Sequence, residues 1–224
     1  MKKFFIPLLA FFGISLAVPA AQQNVQNIDL NTIYASMPTI SNNQPPLEPV
    51  NKKPSDADFL FHEDEWGQIE FCPKSQLQEI QRTLKEYKAF EKSHRAKFGW
   101  SKIYVRTIKP LPVISRTNPL EKLEKILGVR ASSAPILTTT SAIMGRVKHG
   151  FTLQLGGDIR LYGYVAGQDV PMLGAILGEN ADNLKLSEAF MKLNSSEGLV
   201  LVDWVGQKIL VSVNPSGTIG IWEP

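Results

Sequence analysis

This 224-residue sequence contains one cysteine and three histidines. A lone Cys72 excludes an internal disulfide, so the fold must be held by packing. His62, His94 and His149 form no H-x-x-x-H pair, and there is no D-x-D-x-D-G calcium loop. The cluster His62-Glu63-Asp64-Glu65 offers metal-ligating side chains. Consecutive residues point in different directions, however, so no metal site is expected there. No G-x-S-x-G elbow occurs, which argues against a serine hydrolase. No glycine-rich phosphate loop occurs either: "LGGD" (155–158) and "LGEN" (177–180) read as turns. No cofactor is expected, and no internal repeat is visible.

The chain has one long apolar run, at its start. Lys2 and Lys3 precede Phe4–Val18, and "VPA" follows at 18–20. This pattern reads as a secretory signal peptide over 1–20, cut after Ala20. It is short for a membrane span of roughly 20 residues. A lipoprotein anchor is not expected, because no cysteine lies near the cut. The expected product is soluble and exported, in the periplasm or outside the cell. Residues 21–55 are rich in Asn, Gln, Ser and Pro. Such a composition buries too little apolar surface to offset its ordering entropy, and a flexible arm is expected.

The pattern predicts a folded body from Asp56. "WGQIEFC" (66–72) reads as a strand with Ile69 and Phe71 on one face, ended by Pro73. Ser75 and Gln78 match a capping box, and Leu77, Ile80, Leu84 and Tyr87 predict a helix over 75–95. "WSKIYVRTI" (100–108) predicts a strand. "NPLEKLEKILG" predicts a short helix, with Asn118 as N-cap, Pro119 at its first position and Gly128 as its stop. The C-terminal strands expected are "APILTTTSAIM", "GFTLQL", "DIRLYGYVA", "GLVLVDWV", "KILVSV" and "TIGIW", joined in part by turns at 156–157, 206–207 and 214–217. A third helix is expected near 181–193. The reading is an α+β fold with a mostly antiparallel sheet and two to three helices. Its parts are a basic α/β unit (56–130) and a β-rich unit with one helix (131–224), with 56–224 as a single domain the alternative.

Charge is uneven along this body. Asp56–Glu70 carries six acidic residues and no Lys or Arg, whereas Lys74–Arg130 carries fourteen basic against five acidic, a net of +9. Phe151–Pro224 carries four basic against eight acidic, a net of −4. Lys85, Lys88, Lys92 and Arg95 share one broad face of the first helix. Two fates are open to that face. It could be a solvated surface paired in cis with the acidic block. It could also bind an acidic protein partner, with peripheral contact to an anionic membrane surface as a variant. No nucleic acid is expected, because aromatics do not interleave with the basic residues.

One catalytic pairing is present in outline. Cys72 precedes a predicted helix and His149 precedes a predicted strand. That arrangement is similar to papain-like cysteine peptidases, including bacterial wall peptidases, and implies a cell-wall hydrolase using Cys72 and His149. The sequence departs from it at Pro73 and in the apolar neighbours of Cys72, which read as a buried small residue. The preferred reading is a non-enzymatic exported protein that binds another macromolecule of the bacterial envelope. Its role would be adaptor, secretion or assembly accessory, or inhibitor or immunity protein of a toxin or hydrolase. The partner-binding residues expected are Lys85, Lys88, Lys92 and Arg95.

Overall fold

In the chain order β1 (Thr39–Ser41), β2 (Leu47–Glu48), β3 (Leu60–His62), β4 (Ile69–Pro73), α1 (Leu77–His94) and β5 (Tyr104–Arg106), the first strands are short and scattered around one long helix. The chain continues through β6 (Ile114–Ser115), α2 (Pro119–Leu127), β7 (Ala131–Ser132), β8 (Ile136–Thr138) and β9 (Ile143–Val147). Then come the long strands β10 (Gly150–Gly156), β11 (Ile159–Ala166) and β12 (Asp169–Leu177). The helix α3 (Asn183–Glu197) and the strands β13 (Leu199–Asp203), β14 (Lys208–Val213) and β15 (Ile219–Trp222) complete it. These elements come from a computed structural model that describes residues 35–224. The expected signal peptide (1–20) and the first part of the expected arm (21–34) lie outside the described residues. The fold is α+β with mostly antiparallel sheet.

The main sheet runs β15-β14-β13-β4-β12-β11-β10-β7, with β6 beside β12. Each of its pairings is antiparallel. A four-stranded sheet, β2-β9-β8-β3, and a parallel β1-β5 ribbon complete the strand pairing. β4 lies between β12 and β13, so the main sheet crosses the 130/131 division. Strand alternation sends Phe71, Leu199 and Leu201 to one face, against Phe190 and Leu193 of α3 and Leu123 and Leu127 of α2. It sends Cys72, Val200 and Val202 to the other, against Ile80, Leu84 and Tyr87 of α1.

Four expectations are corrected. First, the arm does not extend to residue 55. Thr39–Ser41 pairs with β5 and Leu47–Glu48 with β9, and Thr39 is fully buried. Polar composition misleads here because these polar side chains are themselves bonded inside the body. Second, Ser75 caps nothing. The chain leaves β4 through a 3₁₀ turn over Lys74–Gln76, and α1 starts at Leu77 without a side-chain cap. The Gln76 amide instead donates to the Lys109 carbonyl at 2.7 Å. Third, the strand expected over 100–108 shortens to Tyr104–Arg106, the part that meets β1. Fourth, the sequence reading lacks β12, the longest strand. Pro171 hides it. In the ladder Pro171 falls opposite the bulge between Tyr164 and Ala166, and between the β6 and β4 pairings. A missing N–H costs little at such a point.

The second and third helices follow their punctuation more closely. Asn118 precedes α2 in the left-handed region, Pro119 opens it and Gly128 closes it at φ 76°. The Asn118 side chain makes no cap bond to the backbone, however. In α3, Asp182 caps by accepting from the Leu184 N–H at 3.0 Å.

Candidate functional site

The acidic stretch beginning at His62 is built locally. The His62 Nδ1 accepts from the Asp64 N–H at 3.2 Å, and Glu65 accepts from the His62 N–H at 3.1 Å. Together they form a capping box around the 3₁₀ turn Glu63–Glu65. Among the described residues no group of three or more His, Cys, Asp and Glu gathers where a metal could sit. Asp58 is used elsewhere, 2.7 Å from Arg146. The bond from Arg146, helped by Ser55, holds its carboxyl down at about 2.

Past the turn the chain dives inward. Trp66 is buried and donates its indole N–H to the Asn43 carbonyl at 2.9 Å. Gly67 takes φ 69°, a conformation that L side chains rarely adopt. That turn aims the Gly67 carbonyl at Arg106.

Arg106 is the centre of a buried polar cluster, only 3 % exposed. It donates to Gly67 O at 2.8 Å, Thr39 Oγ1 at 3.0 Å and Gln68 Oε1 at 3.2 Å. Its guanidinium lies 4.8 Å from the centre of the Trp204 ring. Trp204 in turn donates to Glu70 Oε1 at 2.7 Å. Burial pulls the Arg106 pKa down to about 10, and the negative charge of Glu70 is the main force opposing that loss. Desolvation pushes the Glu70 carboxyl above its ordinary value, against the pull of Arg106 and the Trp204 bond. The acidic and basic blocks are therefore coupled in the interior, where Glu70 and Arg106 face each other's charge across Trp204 without forming an ion pair, and not on the surface of α1.

Glu70 also lines a cleft of about 60 Å³ with Ser41, Asn43, Cys72, Gln76 and Trp204. That is far below the roughly 300–1,000 Å³ of pockets for ordinary small ligands. Cys72 is the group a nucleophilic reading needs. Its thiol is pushed well above its usual value, first by burial and then by the charge of Glu70, the opposite of an activated thiolate. His149 sits at φ 54° in the exposed turn before β10, and β10 is three strands from β4. Strand spacing sets roughly 14 Å between those two strands, so the fold does not bring Cys72 and His149 into hydrogen-bond reach.

The four basic residues fall into two groups. Lys85, Lys88 and Lys92 lie exposed along one flank of α1, beside the buried stripe of Ile80, Leu84, Tyr87 and Glu91. Among the described residues none of the three has an Asp or Glu carboxylate within 4.0 Å. The Lys85 ammonium lies 5.9 Å from the Trp222 ring centre, and Lys88 donates to the Pro224 carbonyl. The flank thus overlooks the end of β15. Arg95 differs. Just past the helix, it pairs with Glu91 and lies 5.6 Å from the Trp100 ring centre. Burial raises the Glu91 carboxyl, but the bonds from Trp100 and Arg95 outweigh it and hold the group below its usual range.

Sequence reasoning missed Arg106 and Glu70. An arginine in a β-rich run, in the middle of a basic block, looks solvated. Its only sequence signal is its place between Val105 and Thr107, on the inward side of a strand. Comparison of this chain with protein-family models, with curated proteins and with solved structures returns no match.

Proposed function

We propose that this chain is an exported envelope protein that works by binding another macromolecule, an acidic protein, through the Lys85–Lys88–Lys92 flank of α1. The observation that carries the reading is that, among the described residues, none of these three lysines meets an Asp or Glu side chain; Lys88 alone meets an acceptor, the Pro224 oxygen just past the end of β15. The acids of α1 itself lie by other cations, Glu79 and Glu86 by Arg82 and Glu91 on Arg95, and those of the acidic block are engaged too: Asp58 on Arg146, Glu65 in its capping box, and Glu70 on Trp204. Three lysines at i, i+3 and i+7 repel one another on a helix, and an acidic partner relieves that repulsion. The export part rests on the leader-like residues 1–20 and the "VPA" motif.

Capture from an envelope extract at two salt concentrations tests the binding. The variant Lys88→Glu/Lys92→Glu is expected to stay folded and to lose the captured protein. Wild-type capture should weaken with salt, since exposed charges are screened within about 10 Å at 0.1 M. Equal capture by both proteins at both salts would reject the flank. Cell fractionation with N-terminal sequencing tests export, with a mature start near Ala21 expected; membrane-embedded protein that retains Met1 would reject it.

A further inference from the structure

β15 is the last strand of the main sheet on its side, paired only with β14. Its outward groups can be assigned. The Asn214 N–H donates to the Thr218 carbonyl at 3.0 Å, so Thr218 faces β14. Antiparallel alternation then turns Gly220 and Trp222 inward, and the backbone groups of Ile219 and Ile221 outward. Among the described residues, no backbone group bonds to those outward groups. The strand itself carries no Lys, Pro or inward charge of the kind that blocks edge pairing.

The two sides of this edge differ. Ile219 and Ile221 face α3, and Ile221 is 59 % exposed. Beside it runs a mainly apolar groove of about 300 Å³ lined by Ile69, Leu177, Leu186, Leu201 and Leu210, with the Asp203–Lys208 ion pair also on its wall. On the opposite side Trp222 packs toward α1; Lys85 stands above its ring and Lys88 beside it at Pro224, neither with an Asp or Glu partner among the described residues. A strand added at this edge would therefore meet a mainly apolar face on one side and positive charge on the other.

We infer that β15 accepts an extended segment of the partner in which apolar and acidic residues alternate. The segment extends the sheet antiparallel to β15, with apolar side chains beside Ile219 and Ile221 and acidic ones under Lys85 and Lys88. Main-chain hydrogen bonds supply affinity, and the two unlike faces supply register and selectivity. The inference rests on the reading of the α1 flank as a binding surface and adds the mode of binding.

A fluorescein-labelled peptide, acetyl-Glu-Ile-Glu-Val-Glu-Leu-Glu-amide, tests it by anisotropy. In the register described, the apolar residues of the peptide turn their N–H groups toward β15. N-methylation of the Ile, Val and Leu amides is expected to weaken binding about tenfold or more, whereas N-methylation of the inner Glu amides leaves it nearly unchanged. Ile221→Pro, which removes one outward N–H, should weaken binding and Ile221→Val should not. Lys85→Glu/Lys88→Glu should weaken it too and remove its salt dependence. Equal binding of both methylated peptides, with the loss on lysine reversal retained, overturns the edge and leaves the flank standing. No binding of the unmodified peptide, with protein capture from the envelope still lost on lysine reversal, also overturns the edge alone. A dimer in sedimentation equilibrium that dissociates on Ile221→Pro overturns the inference in favour of a second copy at the same edge.

Discussion

The two faces of the main sheet are held by different physics. Toward α2 and α3 the core is built of apolar side chains, from Phe71, Leu161 and Leu173 to Phe190 and Leu193, and the buried carboxylate of Glu197 pairs at its margin with Arg116 and Lys122. Toward α1 it is divided. Ile80, Leu84 and Tyr87 pack at one end, Phe61, Trp66 and Met172 at the other, and the Arg106 cluster lies between them. Gly174 shows how tightly the second region is set: a side chain there would meet the Tyr162 ring at 2.4 Å. An apolar interior tolerates a lost methyl group in proportion to the cavity left behind. A buried charge with named partners tolerates substitution much less.

The sharpest test of this contrast is Arg106→Ala. It strands Gly67 O and Gln68 Oε1 and leaves Glu70 without its cation, and a loss of about 3–5 kcal/mol is expected in urea unfolding. Arg106→Lys should recover little, because an ammonium lacks the planar fork that reaches several acceptors at once. Full stability of Arg106→Met would erase the difference between the faces. On the apolar face, Leu161→Ala should cost about 3 kcal/mol, and Leu161→Met about 1 kcal/mol or less. Thr39→Val removes an acceptor from Arg106 and a donor to the Tyr104 carbonyl, at an expected cost of about 1–2 kcal/mol. A Thr39→Val protein as stable as wild type would mean that the segment before Asp56 is only loosely held.

Acid titration separates two carboxylates of the acidic block. Asp58 is held at about 2 in the folded state, so its stabilisation is present above its ordinary 3.8 and is lost as the pH falls towards about 2. Glu70 is shifted upward, so its contribution is full below its ordinary 4.5 and is lost as the pH rises through its raised value. Urea midpoints measured against pH should lose the acid-side fall in Asp58→Asn. They should lose the decline above pH 4.5 in Glu70→Gln. The smallest effect is expected from Arg95→Ala. Arg95 is exposed and its buried partner Glu91 keeps the bond from Trp100, so the loss should be about 1 kcal/mol, and a much larger one would extend the rigid region past the end of α1.

The helices and hairpin turns were legible because local rules set them. Pro119 and Gly128 bound α2, and the turns at 156–157 and 214–217 join strands where expected. Side-chain alternation in β4 was legible for the same reason. What stayed hidden depends on residues far apart in sequence. Pro171 is acceptable in β12 only because neighbours leave its position unpaired. Thr39 is buried only because Arg106, 67 positions away, needs an acceptor. The lysine flank could be read from the spacing of α1. Its relation to β15 could not, since nothing local places Trp222 beneath Lys85.

The position of β4 has a kinetic consequence. Phe71 pairs with Leu173 on one side and with Leu201 on the other, so the middle of the sheet closes only when segments roughly 100 and 130 residues downstream arrive. The hairpins β10–β11–β12 and β13–β14–β15 can zip by themselves, because their strands are neighbours in the chain. Insertion of β4 between them requires two long loops to close at once, and that entropy must be lost before the contacts repay it. The seam around β4 is therefore the last part of the sheet to form, and until Leu201 has left the ribosome β4 has no partner on its β13 side.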